Sequence, residues 1–195
     1  MKFITLGPSG SNHEFVAQRY LDFHGLNDRA SLELVPDFEQ GAAAVLSAHA
    51  DFLIQCAVHP ATVATVAKFF KGLFVIDTFI SASRELAIVQ RNDVSHPRTL
   101  AVMQPTLDYI DSKAWERIEL VETVAAVTRG LVEGTYEAGL AYAAIARACP
   151  QSLHVVQHVG SVDDAWIVYG RTRLGHGGVT AWAASPSAAH YRQMA

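Results

Sequence analysis

Two cysteines in 195 residues, Cys56 and Cys149, cannot build a disulfide framework, and their separation matches no metal-binding spacing. Free thiols in a reduced compartment are the expectation. Basic clusters are missing too. The net charge is −4, and without a Lys/Arg patch there is no surface for nucleic acid. No apolar run approaches the roughly 20 residues that cross a bilayer, so no membrane partner is expected. The N-terminus enters an apolar run at once, without a signal-peptide pattern, which predicts a cytoplasmic location. Nine histidines are present but scattered singly. His154 and His158 have a helix-type offset, yet they flank Val155-Val156 in an expected strand, where that offset separates them by roughly 13 Å. The sequence therefore predicts no metal and no cofactor.

What is present is apolar residue in quantity: half of the chain is hydrophobic and 17% is charged, the balance of a well-packed protein and not of a disordered one. The length allows one sizeable core or two smaller lobes sharing a cleft. The most informative stretch is the beginning. Phe3 to Leu6 reads as a buried strand, Gly7-Pro8-Ser9-Gly10 as a tight turn, and Ser11 with Glu14 three residues later as a capping box opening a helix. That arrangement puts bare amides and a positive dipole end at one point, suited to an anion; a plain β–turn–α connection is the alternative reading.

Further along, the periodicity predicts helices over 14–23, 38–49, 107–115, 123–132 and 143–149. It predicts strands over 32–35, 51–55, 73–76, 80–89, 99–103, 118–121, 138–141, 153–159 and 164–169. Residues 62–70 are ambiguous between helix and irregular structure, and Arg84 and Glu85 interrupt the strand over 80–89. Alternating strands and helices imply right-handed crossovers. The expected architecture is α/β, with two lobes built on mostly parallel sheets and a ligand cleft between them. The first lobe is 1–79 plus 160–171 and the second is 80–159; 172–195 is an extension with little regular signal.

The segment TLGPSGSNHEFVAQRY (Thr5–Tyr20) resembles the opening GPxGT(F/S)S(E/H)xAA segment of the prephenate dehydratase family, whose fold is similar to type 2 periplasmic binding proteins. Ala50-Asp51-Phe52-Leu53-Ile54, Ile76-Asp77-Thr78, the Met103-Gln104-Pro105 turn, Val121-Glu122-Thr123 and Asp164 to Gly170 continue the resemblance over roughly residues 3–171. The departures are instructive. Where that family carries Thr-Arg-Phe, with its catalytic threonine, this chain has Asp164-Ala165-Trp166. Where it has Pro-Ile-Glu-Asn-Ser, this chain has Gln55-Cys56-Ala57-Val58-His59. The family's Ser-Thr becomes Thr123-Val124, and the serine before Glu14 becomes His13. The hydroxyl that helps expel water is thus absent. The closer resemblance is to the short stand-alone branch of bacilysin-pathway prephenate decarboxylases, which replace the same tripeptide with a small residue before Trp and end in aromatic–Gly–basic, here Tyr169-Gly170-Arg171.

The resemblance implies a cofactor-independent lyase acting on prephenate or a related cyclic diene acid, with decarboxylation favoured. The alternatives are a dehydratase with a substituted catalytic residue and a non-catalytic carboxylate binder. Such a decarboxylase must hold one carboxylate, place the leaving carboxylate somewhere less polar, and protonate the carbon that receives the electrons. The expected binding groups are Gly10, Ser11 and Asn12 in the first turn, Gln104 and Thr106 in the second, and Thr123, with Gln55, Cys56, Thr78 and Arg84 beside them. Capping is the alternative role for Ser11, Thr106 and Thr123. His59 is the expected proton donor, His13 a second candidate that could meet a carboxylate as an imidazolium, and Asp164 an acid/base substitute for the missing threonine. Surface exposure is the alternative for His59, a solvated turn for Asp164, and inert packing for Cys56. Trp166 is expected in the core or pocket wall. A small carboxylate is the expected partner, and the Ala-rich helices and tail would permit a homodimer.

Overall fold

A computed structural model describes residues 1–175 and 177–194; His176 and Ala195, which belong to the expected extension, lie outside the described residues. The chain begins β1 (Lys2–Leu6), α1 (Asn12–Phe23), β2 (Ser31–Val35), α2 (Phe38–Leu46), β3 (Phe52–Cys56), α3 (Thr62–Phe69) and β4 (Phe74–Ala82). After a crossing it continues β5 (Leu86–Arg91), β6 (Thr99–Met103), β7 (Arg117–Val121), α4 (Val124–Glu133), β8 (Ala138–Tyr142), α5 (Ala144–Ala148) and β9 (Leu153–Gly160). β10 (Asp163–Gly170) and α6 (Pro186–Met194) end it.

Two five-stranded sheets result, ordered β2-β1-β3-β10-β4 and β7-β6-β8-β5-β9. Parallel pairings join β2, β1 and β3 in one and β7, β6 and β8 in the other. The strands that follow the two crossings, β5 and β10, run antiparallel to both of their neighbours. The mostly parallel pairing expected from the strand–helix alternation is therefore corrected to mixed sheets. Only strands joined through a helix within a lobe must be parallel.

Strand alternation sorts the first core onto two faces. Ile4, Leu53 and Tyr169 turn toward α2 with Phe38, Ala42 and Val45. Phe3, Ile54, Cys56, Trp166 and Val168 turn toward α1 with Val16, Ala17 and Leu21. In the second sheet Ala87, Val89, Ala101 and Ala141 meet Val127 and Leu131 of α4. Gly139 is obligatory here, because a Cβ would stand 2.4 Å from Val127 Cγ1. Helix starts are set by local caps: Ser11 Oγ accepts the Glu14 amide, Asp37 Oδ1 the Gln40 amide and Thr123 Oγ1 the Ala126 amide.

Three local expectations change. The stretch 107–115 is not an α-helix but two 3₁₀ turns, Gln104–Tyr109 and Ser112–Ala114. Asp111 Oδ1 accepts the Lys113 amide at 3.0 Å, a side-chain competitor that restarts the turn. Residues 80–89 are not one strand. The Ser83 amide donates to Val162 O at 2.8 Å and the Arg84 amide to Asn12 Oδ1 at 2.9 Å, so 83–85 leave the ladder and cross between the sheets. The tail ends in α6, with Ser185 Oγ accepting the Ala188 amide. The ambiguous 62–70 is helical from Thr62 to Phe69. Its buried Thr62 and Thr65 hydroxyls donate to Cys56 O and Ala61 O. Among the described residues no helix is long and apolar enough to cross a membrane.

Candidate functional site

The C-terminal ends of β1, β3, β6, β7 and β8 all open into one interlobe cavity of about 440 Å³, where a two-lobed α/β protein is built to take a ligand. The first lobe contributes Leu6, Ser11, Asn12, His13, Cys56 and His59, with Asp164 from β10; the crossing segments add Ser83, Arg84 and Val162. The second lobe faces them with Thr106, Tyr109, Glu122, Thr123 and Tyr142. A larger groove, about 750 Å³, lies between α1 and the edge strand β4, but it brings together few of the expected groups.

The opening turn is less bare than its sequence suggests. Gly10, with φ +80°, sits in the left-handed region that favours glycine, and its amide is taken by the Glu14 carboxylate. The Ser11 amide donates to Pro8 O. Ser11 Oγ caps Glu14 and its hydroxyl donates to Leu6 O. The Asn12 amide faces the Tyr142 phenol, which leaves the His13 amide, in the first turn of α1, for a ligand. Asn12 itself is committed to the crossing. Nδ2 donates to Ser83 Oγ at 2.8 Å and Oδ1 accepts the Arg84 amide, while the Ser83 hydroxyl donates to Asp164 Oδ2. One side chain thus ties the start of α1, the first crossing segment and the last strand.

Arg84 is the one cation among the described lining residues. Its Nη1 donates to Gly10 O at 2.8 Å, and the guanidinium lies 4.3 Å from the Tyr142 ring centroid and 5.6 Å from that of Phe15. Tyr142 rises from the end of β8, and burial raises its phenol, offset by Arg84 and by the Asn12 amide. Tyr109 is raised by burial, then by the Asp164 carboxylate and Cys56. Burial, with Asp164 nearby, pushes the Cys56 thiol up to about 11, so it is a protonated thiol at neutral pH.

His13 and His59 stand edge-on with ring centroids 5.6 Å apart, and Phe38 packs on both. Burial, then the neighbouring His59, depresses His13 to about 3, and burial also lowers His59. Both rings are neutral at pH 7. An imidazolium at His13 meeting a carboxylate is therefore not the state that burial permits, and His59 lacks the charged form that proton delivery at neutral pH requires. His13 resists protonation when folded, so its contribution to stability is whole above the unfolded pKa of 6.5 and falls as pH drops from there toward 3. Between pH 7 and pH 5 the native protein is expected to lose about 2 kcal/mol through this residue. Denaturant midpoints at the two pH values check this, and a His13→Gln variant should show a correspondingly smaller drop.

Among the expected site residues, the cavity unites Ser11, Asn12, His13, Cys56, His59, Arg84, Thr106, Thr123 and Asp164. It leaves out five. Gln55 points to the opposite face of β3 from Cys56, with Nε2 donating to Thr65 Oγ1. Thr78 lines the outer groove, Gly10 stays in its turn, and Gln104 is exposed outside the cavity. Trp166 is fully buried behind the wall, opposite Cys56 in the β3–β10 register and 5.1 Å from His13. Tyr109, Glu122, Tyr142 and Ser83 were not singled out from the sequence. Glu122 and Tyr142 carried a usable signal, since both stand at the C-terminal ends of predicted strands. Among the described residues no group of three or more His, Cys, Asp or Glu side chains is placed to hold a metal ion.

No family model matches the chain, and no curated protein does. Solved structures do. The prephenate dehydratase of Arthrobacter aurescens, in complex with L-Phe, superposes with a TM-score of 0.68 at 18% identity, over 92% of this chain and 63% of its own. That of Staphylococcus aureus subsp. aureus Mu50 gives 0.62 at 12% identity, over 89% of this chain and 67% of its own. The periplasmic VFT2 domain of BvgS from Bordetella pertussis gives 0.51 at 13% identity, over 87% and 80%. The chain has the fold these proteins share. It spans less than two thirds of the Arthrobacter dehydratase.

Proposed function

We propose that this chain is a cofactor-independent lyase that removes CO₂ from a small cyclic carboxylic acid held in the interlobe cleft, with prephenate or a related diene acid as the substrate class. The observation that carries this reading is the charge of the cleft. One cation, Arg84, faces two carboxylates, Asp164 and Glu122, and both imidazoles are neutral. A site that merely held a diacid would supply a counter-charge for each carboxylate. Here one carboxylate can be held by Arg84 and the His13 amide at the start of α1. The other must lie among Leu6, Val58, Leu86, Met103 and the cleft's own carboxylates, where its charged form is disfavoured and neutral CO₂ is not.

In the reaction the carbon–carboxyl bond breaks, its electron pair passes through the conjugated ring, and a distal ring carbon takes up one proton. Cys56, Tyr109 and Tyr142 keep their protons at neutral pH and are the candidate acids of this cleft. By the sequence resemblance, Asp164 stands where the dehydratases carry their catalytic threonine, and this argues against expulsion of water. Structural likeness to two prephenate dehydratases supports the prephenate-related chemistry, and likeness to the VFT2 domain supports a purely binding role as the second reading.

Incubation of the protein with prephenate is the test. CO₂ release without the ultraviolet absorbance of phenylpyruvate is expected, falling by roughly 100-fold in Asp164→Asn. Phenylpyruvate formation would establish a dehydratase instead, and tight binding without turnover a binding protein.

A further inference from the structure

We infer that His59 and His13 together form a seat for an uncharged oxygen, a ketone or hydroxyl, on the acid that the cleft binds. The inference rests on the carboxylic-acid reading of the cleft and narrows the ligand to an oxo or hydroxy acid.

The first support is a tautomer. The backbone N–H of Ala61 donates to His59 Nδ1 at 3.1 Å. A ring nitrogen that accepts cannot also carry a proton, so the neutral ring bears its hydrogen on Nε2. Adding a second proton at Nδ1 would break this bond and set two N–H groups against each other, which works in the same direction as burial. His59 is consequently a fixed donor through Nε2–H. That atom makes no hydrogen bond among the described residues, and the ring lines the cavity.

The second support is independent. His13 Nε2 is a buried polar atom without a hydrogen-bond partner, in a ring that also lines the cavity and is edge-on to His59. Such an atom normally has a partner, and leaving it without one costs on the order of a hydrogen bond's desolvation. Nε2 has almost no accessible surface, so a ligand oxygen beside His59 satisfies it once the His13 ring turns toward the cavity.

Charge then selects the kind of atom. Phe38 and Trp166 pack against His13, and neither imidazole brings a positive charge. A carboxylate placed there would share the cavity with Asp164 and Glu122 and draw no positive charge from either imidazole, whereas Arg84 offers a counter-ion in the same cavity. A ketone or hydroxyl oxygen carries no such cost. It can accept from His59 Nε2–H, and a hydroxyl can also donate to His13.

Two measurements test this. In ¹⁵N-histidine-labelled native protein at neutral pH, His59 is expected to show a protonated, pyrrole-type Nε2 and a pyridine-type Nδ1. A proton on Nδ1, alone or together with Nε2, would overturn the fixed donor. By calorimetry, 4-oxocyclohexanecarboxylate is expected to bind at least tenfold tighter than cyclohexanecarboxylate, and this preference should fall below twofold in His59→Phe. Equal binding of the two acids to the native protein overturns the oxygen seat and leaves the carboxylic-acid reading standing. A preference that survives in His59→Phe removes His59 from it. Binding of neither acid at millimolar concentration overturns both the seat and the reading beneath it.

Discussion

Replacing Arg84 with Met is expected to weaken the binding of any cleft carboxylate by roughly 10- to 100-fold, the worth of a charge-assisted hydrogen bond lost where no second cation lines the cleft among the described residues. The substitution keeps an apolar stem against the Tyr142 and Phe15 rings, and the backbone amide at 84 still donates to Asn12. Folding should therefore survive. Calorimetric titration with cyclohexanecarboxylate, alongside a thermal melt to confirm the fold, separates the two roles of this side chain. Unchanged affinity would make Arg84 a strut between Gly10 and Tyr142, with the carboxylate held by the His13 amide alone.

The largest expected loss of stability comes from Trp166→Ala. The indole is fully buried, packs within 5.1 Å of His13, and lies parallel to Phe79 with ring centroids 6.3 Å apart. Truncation of such a residue costs about 3–5 kcal/mol through lost burial and the cavity that remains. The wall of the cleft loses its backing at the same time. Water entering behind His13 would relieve the burial that keeps this ring neutral, so its titration should move back toward the ordinary histidine range. Urea denaturation reads the first effect and histidine NMR the second. A loss under about 1 kcal/mol would mean that the α1 face of the first sheet is repacked without the indole.

The parts of this fold that could be read from the sequence are those decided within a few residues. Ser11 with Glu14, Asp37 with Gln40 and Thr123 with Ala126 are caps closed within one turn, and all three helices begin there. Phe3 and Ile4 alternate toward α1 and α2 because a strand leaves no other choice. The same period of two explains a misplaced residue: Gln55 and Cys56 are neighbours in the chain, but only Cys56 can face the cleft. The crossing at Ser83–Glu85 was legible only as an interruption at Arg84 and Glu85 in the expected strand, for a different reason. Its backbone is drawn off the ladder by Asn12 and Val162, partners that are 72 positions away in the one case and across the second crossing in the other. The grouping of Tyr109, Tyr142 and Glu122 with Asp164 likewise comes from the meeting of two sheets, and no spacing within either lobe announces it. The histidines illustrate both limits. Their positions were legible, but their neutrality comes from Phe38, Trp166 and the Ala61 amide, which only the folded chain supplies.

Asn12 gives the cleft an economy of parts. Its backbone amide stands in the first turn of α1 beside the Tyr142 phenol, while its side chain fastens the crossing segment whose next residue along carries the cleft's cation. A ligand that pulls on the start of α1 and on Arg84 therefore pulls on both ends of a single short linkage. Affinity and the angle between the lobes are then linked, and a restraint that holds the lobes at their ligand-bound angle raises the affinity by the fraction of binding-competent molecules it adds.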